Sequence, residues 1–104
     1  MQIVFTKDYL SDLYYGRTSG KKHRFQPEVI KKYIKVVNIL KQAGSVEDLF
    51  HFVSLNYERL IGDKAGLESV RVTDRYRLEI KTSKMSDETV VTICSIIELS
   101  NHYR

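Results

Sequence analysis

The chain has one cysteine, one proline and five glycines in 104 residues. It has no apolar run approaching the ~20 residues that a membrane-spanning helix needs. A lone Cys94 makes no internal disulfide, which is the expectation for a protein of the reducing cytoplasm. His23, His51 and His102 are far apart, and no cysteine–histidine cluster has zinc-like spacing, so neither a metal site nor a cofactor is expected. Met1-Gln2-Ile3-Val4-Phe5 lacks the charged start, long apolar stretch and small-residue cleavage site of a secretion signal. Internal repeats, low-complexity tracts and interdomain linkers are also missing, which leads to the expectation of a single domain over residues 1–104. At 42% hydrophobic and 29% charged, the composition is that of a soluble globular protein.

Charge is present in excess of one sign. Seventeen lysines and arginines stand against thirteen acids, for a net +4. The basic residues crowd two short segments, one containing Arg17, Lys21, Lys22, His23 and Arg24, the other Arg71, Arg75 and Arg77. A basic surface favours a polyanion such as nucleic acid, although the same residues would also serve as a solvated surface.

Periodicity supplies the elements. Gln2–Phe5 reads as a short strand. Thr6 then caps a helix carrying Tyr9, Leu10, Leu13 and Tyr14, which Gly16 stops. A polar loop follows. Pro27 at a first helical position opens the longest helix, with Val29, Ile30, Tyr33, Ile34, Val37 and Leu40 as its apolar stripe, and Gly44 closes it. Ser45 caps a short helix over 46–53. Tyr57–Ile61 is a short strand, and 62–66 is a turn. Leu67–Val72 and Tyr76–Thr82 alternate as strands, residues 83–88 are a polar loop, and Thr89–Leu99 is a central strand covered on both faces. The order implies an α+β fold, a small antiparallel sheet with two or three helices on one face. Tyr33, Phe50, Phe52 and Tyr76 are expected in the core, and Cys94 is expected buried and inert.

The hairpin joining the two alternating strands carries more information. A two-residue turn at Thr73-Asp74 would mix core and solvent side chains on each face. A three-residue loop, Thr73-Asp74-Arg75, pairs Val72 with Tyr76 and Val70 with Leu78, so the apolar pattern selects it. That register sets Arg71 directly opposite Arg77. Like charges so placed repel, by some tenths of a kcal/mol. A phosphate between the guanidiniums would relieve the repulsion, as would Glu68, Glu79 or Glu58.

Leu60 through Leu78, with its Gly62-Asp63-Lys64-Ala65-Gly66 turn, Ser69-Val70-Arg71-Val72 strand and Tyr76-Arg77-Leu78 return, resembles the signature hairpin of RelE/ParE-superfamily toxins. It is most similar to the HigB, or plasmid maintenance killer, branch. Ile96 through Arg104 resembles the same group's terminal strand and tail. The resemblance implies a compact α+β toxin of a type II toxin–antitoxin system, one that inhibits translation as a metal-independent, ribosome-dependent endoribonuclease cutting mRNA in the A site. It implies ribosome, mRNA and a helix-turn-helix (HigA-like) antitoxin as partners.

Metal-free RNA cleavage needs a base for the 2′-hydroxyl, a cation for the phosphorane and an acid for the leaving 5′-oxygen. By resemblance, Arg77 is the phosphate-stabilising arginine, assisted by Arg71. Glu58 stands where YoeB-like members carry a glutamate base, and a carboxylate paired with Arg59 or Arg77 is the structural alternative. His102 and Tyr103 match the His-Tyr ending of YoeB-like members. They offer a proton donor and a group that orients phosphate or stacks on a base. HigB-like members end differently, and Arg104 here cannot serve as an acid. Arg71, Arg75, Lys64 and Arg104 are the expected RNA contacts. Two other functions stay open: a ParE-like gyrase poison, and an inactive RNA- or antitoxin-binding module.

Overall fold

A computed structural model of the chain describes residues 1–17, 24–86 and 90–101, and among residues 85, 86, 90 and 91 the backbone alone. The elements are β1 (Gln2–Phe5), α1 (Asp8–Tyr15), α2 (Pro27–Gln42), α3 (Val46–Leu49), β2 (Glu58–Arg59), β3 (Glu68–Arg71), β4 (Tyr76–Ser86) and β5 (Val90–Asn101), with 3₁₀ turns over Val53–Leu55 and Gly62–Lys64. The strands form one sheet in the order β1-β5-β4-β3-β2. The α+β architecture is as expected, with one modification. β1 runs parallel to β5, with Ile3 opposite Cys94 and Phe5 opposite Ile96, so the sheet is mixed. The helices between β1 and the later strands provide the crossover that a parallel pair requires.

Helix α1 buries Tyr9, Leu10 and Leu13, and α2 buries Tyr33, Val36, Val37 and Leu40. These pack with Val70, Val72, Leu78, Ile80, Cys94, Ile96 and Leu99 of the sheet into one core. Tyr33 is fully enclosed, and its hydroxyl donates to the Leu10 carbonyl at 2.7 Å, tying the two helices together. The sequence places Ile96 and Leu99 three apart, out of phase for a regular strand. A bulge resolves this. Glu79 faces Glu98 but Ile80 faces Ile96, so Ile97 is the extra residue and both apolar partners reach the core. Beyond the Phe5–Ile96 pair, the Leu99 N–H donates instead to the Tyr9 hydroxyl at 3.1 Å.

Several local expectations are corrected. Thr6 does not cap α1. Lys7 occupies that position without a side-chain bond, and the Thr6 hydroxyl donates to the Ile96 carbonyl at 2.7 Å. Helix α2 ends at Ala43 rather than at Gly44. The 46–53 helix is shorter than expected, Val46–Leu49, and Ser45 makes no cap bond; at its start Asp48 accepts from the Gly44 N–H at 2.8 Å. β4 runs through Ser86 where a loop was expected, since β5 supplies a ladder partner for each residue from Ser83 to Ser86; residues 87–89 lie outside the described set. β5 is covered on one face. Thr92, Cys94, Ile96 and Leu99 are buried, and the intervening Ile93, Ser95 and Ile97 are half-buried. Phe50 and Phe52 are 60% and 42% exposed and therefore outside the core.

Candidate active site

The β3–β4 hairpin adopts the three-residue loop. Val70 pairs with Leu78 and Arg71 with Arg77, and the Val72 N–H donates to the Tyr76 carbonyl at 3.0 Å. Thr73 closes the loop, its hydroxyl accepting from the N–H groups of Arg75 and Tyr76 at 3.2 and 3.1 Å. Threonine offers the backbone this local bond, which stops the strand there.

The facing arginines part company. Arg71, 48% exposed at its side chain, turns to Asp74 of the loop. Arg77 lies back along the open face of the sheet and is only 8% exposed. Its Nε donates to Ser69 Oγ at 2.8 Å. One terminal nitrogen, Nη2, donates to the Asn56 carbonyl at 2.7 Å and to the Ser69 carbonyl at 3.3 Å. The Glu58 carboxylate stands 3.6 Å from the same nitrogen. The other terminal nitrogen, Nη1, has no hydrogen-bond partner among the described residues. Arg77 is on the face that the alternation leaves to solvent, yet it is not solvent-exposed. The guanidinium is embedded, and its removal would strip donors from Ser69 and Asn56.

Glu58, Arg71 and Arg77 line one open depression of about 400 Å³ together with Asn56, Thr73 and Asp74. Three of the sequence-nominated residues therefore meet. β5 runs along the other edge of β4 without lining the depression. Ser100 pairs with Arg77 and Asn101 with Tyr76, so the strand leading to the chain end runs beside the arginine. His102, Tyr103 and Arg104 themselves lie outside the described residues, as do Lys21, Lys22 and His23. Lys64 stands apart from the depression, its ammonium paired with Glu79 at 2.5 Å. Arg75 is on the loop tip. With Arg24, Lys32, Lys35 and Arg71 it lines a neighbouring groove of about 900 Å³ between the start of α2 and the hairpin, where Glu28 and Asp74 are the acids. Arg17 of the first basic segment pairs with Asp12 at 3.0 Å.

The covered face of the same strands holds a polar network that the sequence reading missed. Glu68, 7% exposed, accepts from the Tyr57 hydroxyl at 2.7 Å, the Thr82 hydroxyl at 2.8 Å and the Thr82 N–H at 2.9 Å. The signal was present, since Glu68 stands in phase with Val70 and Val72 at core positions. Burial, then the bond to Glu68, pushes the Tyr57 phenol up to about 12. Burial pushes the Cys94 thiol up to about 12 as well, so the sulfur stays protonated and inert, as expected. Among the described residues, no group of three or more histidine, cysteine, aspartate or glutamate side chains could hold a metal ion, and no helix is long and apolar enough to cross a membrane.

No family model and no curated protein matches the chain. Among solved structures, its fold is similar to that of a YoeB/ParE toxin from Agrobacterium tumefaciens. The TM-score is 0.59 and the identity 21%, over 99% of this chain and 100% of the other. At that identity the likeness is one of fold.

Proposed function

We propose that this chain is the toxin of a toxin–antitoxin pair, a single-domain ribosome-dependent endoribonuclease of the RelE/ParE superfamily that cuts mRNA in the A site. Within that superfamily its hairpin resembles the HigB branch, and its His-Tyr ending resembles YoeB-like members. The observation that carries this reading is the meeting of Glu58 and Arg77, 3.6 Å apart, in an open depression beside the end of β5. The full-length fold likeness to a YoeB/ParE toxin supports it.

In the proposed reaction the Glu58 carboxylate takes the 2′-hydroxyl proton. The 2′-oxygen then bonds to the adjacent phosphorus, and the charge gathered on the phosphoryl oxygens is met by Arg77, through Nη1, and by Arg71. The P–O5′ bond breaks and His102 protonates the departing oxygen, leaving a 2′,3′-cyclic phosphate and a 5′-hydroxyl. Tyr103 orients the phosphate or stacks on a base. Arg75, Lys64 and Arg104 hold the RNA, and Arg24, Lys32 and Lys35 add positive charge along the neighbouring groove. No metal or cofactor takes part. The setting is the cytoplasm, and a HigA-like helix-turn-helix antitoxin blocks the site.

A second reading has one observation in its favour. Arg77 is nearly buried, with Nε and one terminal nitrogen consumed by Ser69 and Asn56. That suits a scaffold arginine in a non-catalytic gyrase poison or binding module. Induction in cells with mapped mRNA ends separates the two. Codon-phased cuts under the wild type that vanish with Arg77→Ala support the nuclease. DNA damage without phased cuts would replace it with the gyrase reading.

A further inference from the structure

The segment 56–58 holds both remaining partners of Arg77, the Asn56 carbonyl and the Glu58 carboxylate, and Tyr57 lies between them. This segment has little backbone support of its own. β2 contains two residues, Glu58 opposite Ser69 and Arg59 opposite Glu68. Asn56, just before it, is in the left-handed region at φ 44°, which an extended ladder cannot stabilise. Backbone bonds flank it, from the Asn56 N–H to the Val53 carbonyl and from the Leu60 N–H to the Leu67 carbonyl, and a side chain ties it to the sheet between them. In extended backbone, neighbours point to opposite faces. Glu58 therefore meets Arg77 on the open face while Tyr57 reaches through to Glu68 on the covered one.

Glu68 is itself anchored in β4. β3 pairs with β4 only as far as Glu68 opposite Ile80, and the Thr82 N–H next along that edge donates to the Glu68 carboxylate at 2.9 Å. The carboxylate so takes the place of the missing strand carbonyl. One buried acid thereby joins β3, β4 and the 56–58 segment on the side of the sheet away from the reaction. The Tyr57 ring also packs edge-on against Phe50 at 5.2 Å, so loss of the hydroxyl alone leaves its packing in place.

We propose that Tyr57 is a positioning residue: its hydrogen bond to Glu68 on the covered face holds the Asn56 carbonyl and the Glu58 carboxylate on Arg77 at the open face. The effect on cleavage rests on the nuclease reading above, whereas the effect on Arg77 does not. A 1 Å error in such a constellation is enough to slow chemistry by one or two orders of magnitude.

The test uses the full chain as Tyr57→Phe, with Glu68→Gln, which keeps side-chain volume, as the second variant. Rotation of the Arg77 guanidinium and solvent exchange of its Nη hydrogens, followed in nitrogen-15 spectra, should quicken about tenfold or more while core amides stay protected, because Asn56 and Glu58 both contact Nη2. Exchange equal to wild type in both variants would overturn the proposal. On A-site-programmed ribosomes, the saturating single-turnover rate of Tyr57→Phe should fall about tenfold or more with half-saturation unchanged. In a Glu58→Gln background the same change should do nothing further. A full rate loss persisting in that background, or no loss in the wild-type one, would overturn the route through Glu58. A wild-type protein that cuts no mRNA would sink the nuclease reading, and the exchange result would still decide whether Tyr57 positions Arg77.

Discussion

The covered face of β3 and β4 presents Val70, Leu78 and Ile80, all fully buried, while the open face of the same strands presents Ser69, Arg71, Arg77 and Glu79. The two sets alternate residue by residue along one backbone. On the covered face, stability comes from apolar area packed against α1 and α2. The open face has no helix over it, and order there comes from directed bonds. Arg77 rests on Ser69 and Asn56, and Glu79 rests on Lys64. A period of two thus lets fold and chemistry share two short strands, provided that each charged side chain on the open face has a partner to fix it. The division is not complete: Arg77 and Glu79 are embedded as well as charged, and Glu68 is a charged residue on the covered face, held by Tyr57 and Thr82.

The largest effect should come from the chain end. Deleting His102, Tyr103 and Arg104, or changing His102→Gln alone, should lower cleavage by about 10²–10⁴, the contribution of a positioned general acid. The register sets Ser100, just before these residues, beside Arg77 in the ladder, and the last core residue of β5 is Leu99, so the thermal midpoint should barely move. A truncated protein cleaving at the wild-type rate would show that the open face is catalytically complete without the tail.

Arg77→Ala should cost about 10²–10³ in rate, as loss of one transition-state contact does. It should also cost about 1–3 kcal/mol of stability, because Ser69 and Asn56 lose their donors. Both losses together would mark this residue as belonging to both halves of the comparison. A stability loss with unimpaired cleavage would make it scaffold. Its neighbour gives the contrast. Leu78→Ala empties a fully buried position and should cost about 2–5 kcal/mol, while cleavage per folded molecule stays at the wild-type level. A matching fall in that corrected rate would mean that the two faces are not separable.

Much of this arrangement is legible in the sequence because it obeys short periods. Alternation through Val70, Val72, Tyr76, Leu78 and Ile80 selects the three-residue loop and forces Arg71 opposite Arg77, as found. Glu58 is among the acids that the sequence nominates to neutralise that pair, and it stands 3.6 Å from Arg77. What is not legible depends on partners distant in the chain. β1 reads as a strand, but only packing decides that it lies parallel to β5. Ser83 and Lys84 have loop-like composition and are held in β4 by Ile93 and Thr92 across the ladder. Phe50 and Phe52 are apolar by type but sit where the chain turns away from the core. The burial of Arg77 is invisible for the same reason, since Ser69 and Asn56 hold it from outside its own strand.

The smallest effect concerns Cys94, which lies on the covered face and should report on that face alone. Its thiol is fully enclosed, and burial holds it at about 12 against an ordinary 9.0. Iodoacetamide at pH 8 should therefore leave the native sulfur unmodified, and labelling should follow unfolding rather than thiol chemistry. The pH dependence has a definite sign. Below pH 9 the thiol is protonated in both folded and unfolded chains, and its contribution to stability is constant. Between 9 and about 12 the unfolded chain gives up the proton first, so stability falls as pH rises. The buried phenols are shifted in the same direction, and burial raises Tyr9, Tyr33 and Tyr57 alike. Cys94→Ala should accordingly make the decline shallower from pH 9 up to about 12, most visibly from pH 9 to 10, before the unfolded phenols ionise and the tyrosines add their own fall. Urea midpoints of wild type and variant at pH 8, 9 and 10 measure this. Parallel curves, or rapid alkylation of the native thiol at pH 8, would show that solvent reaches the covered face, and the contrast between the two faces would lose its physical basis.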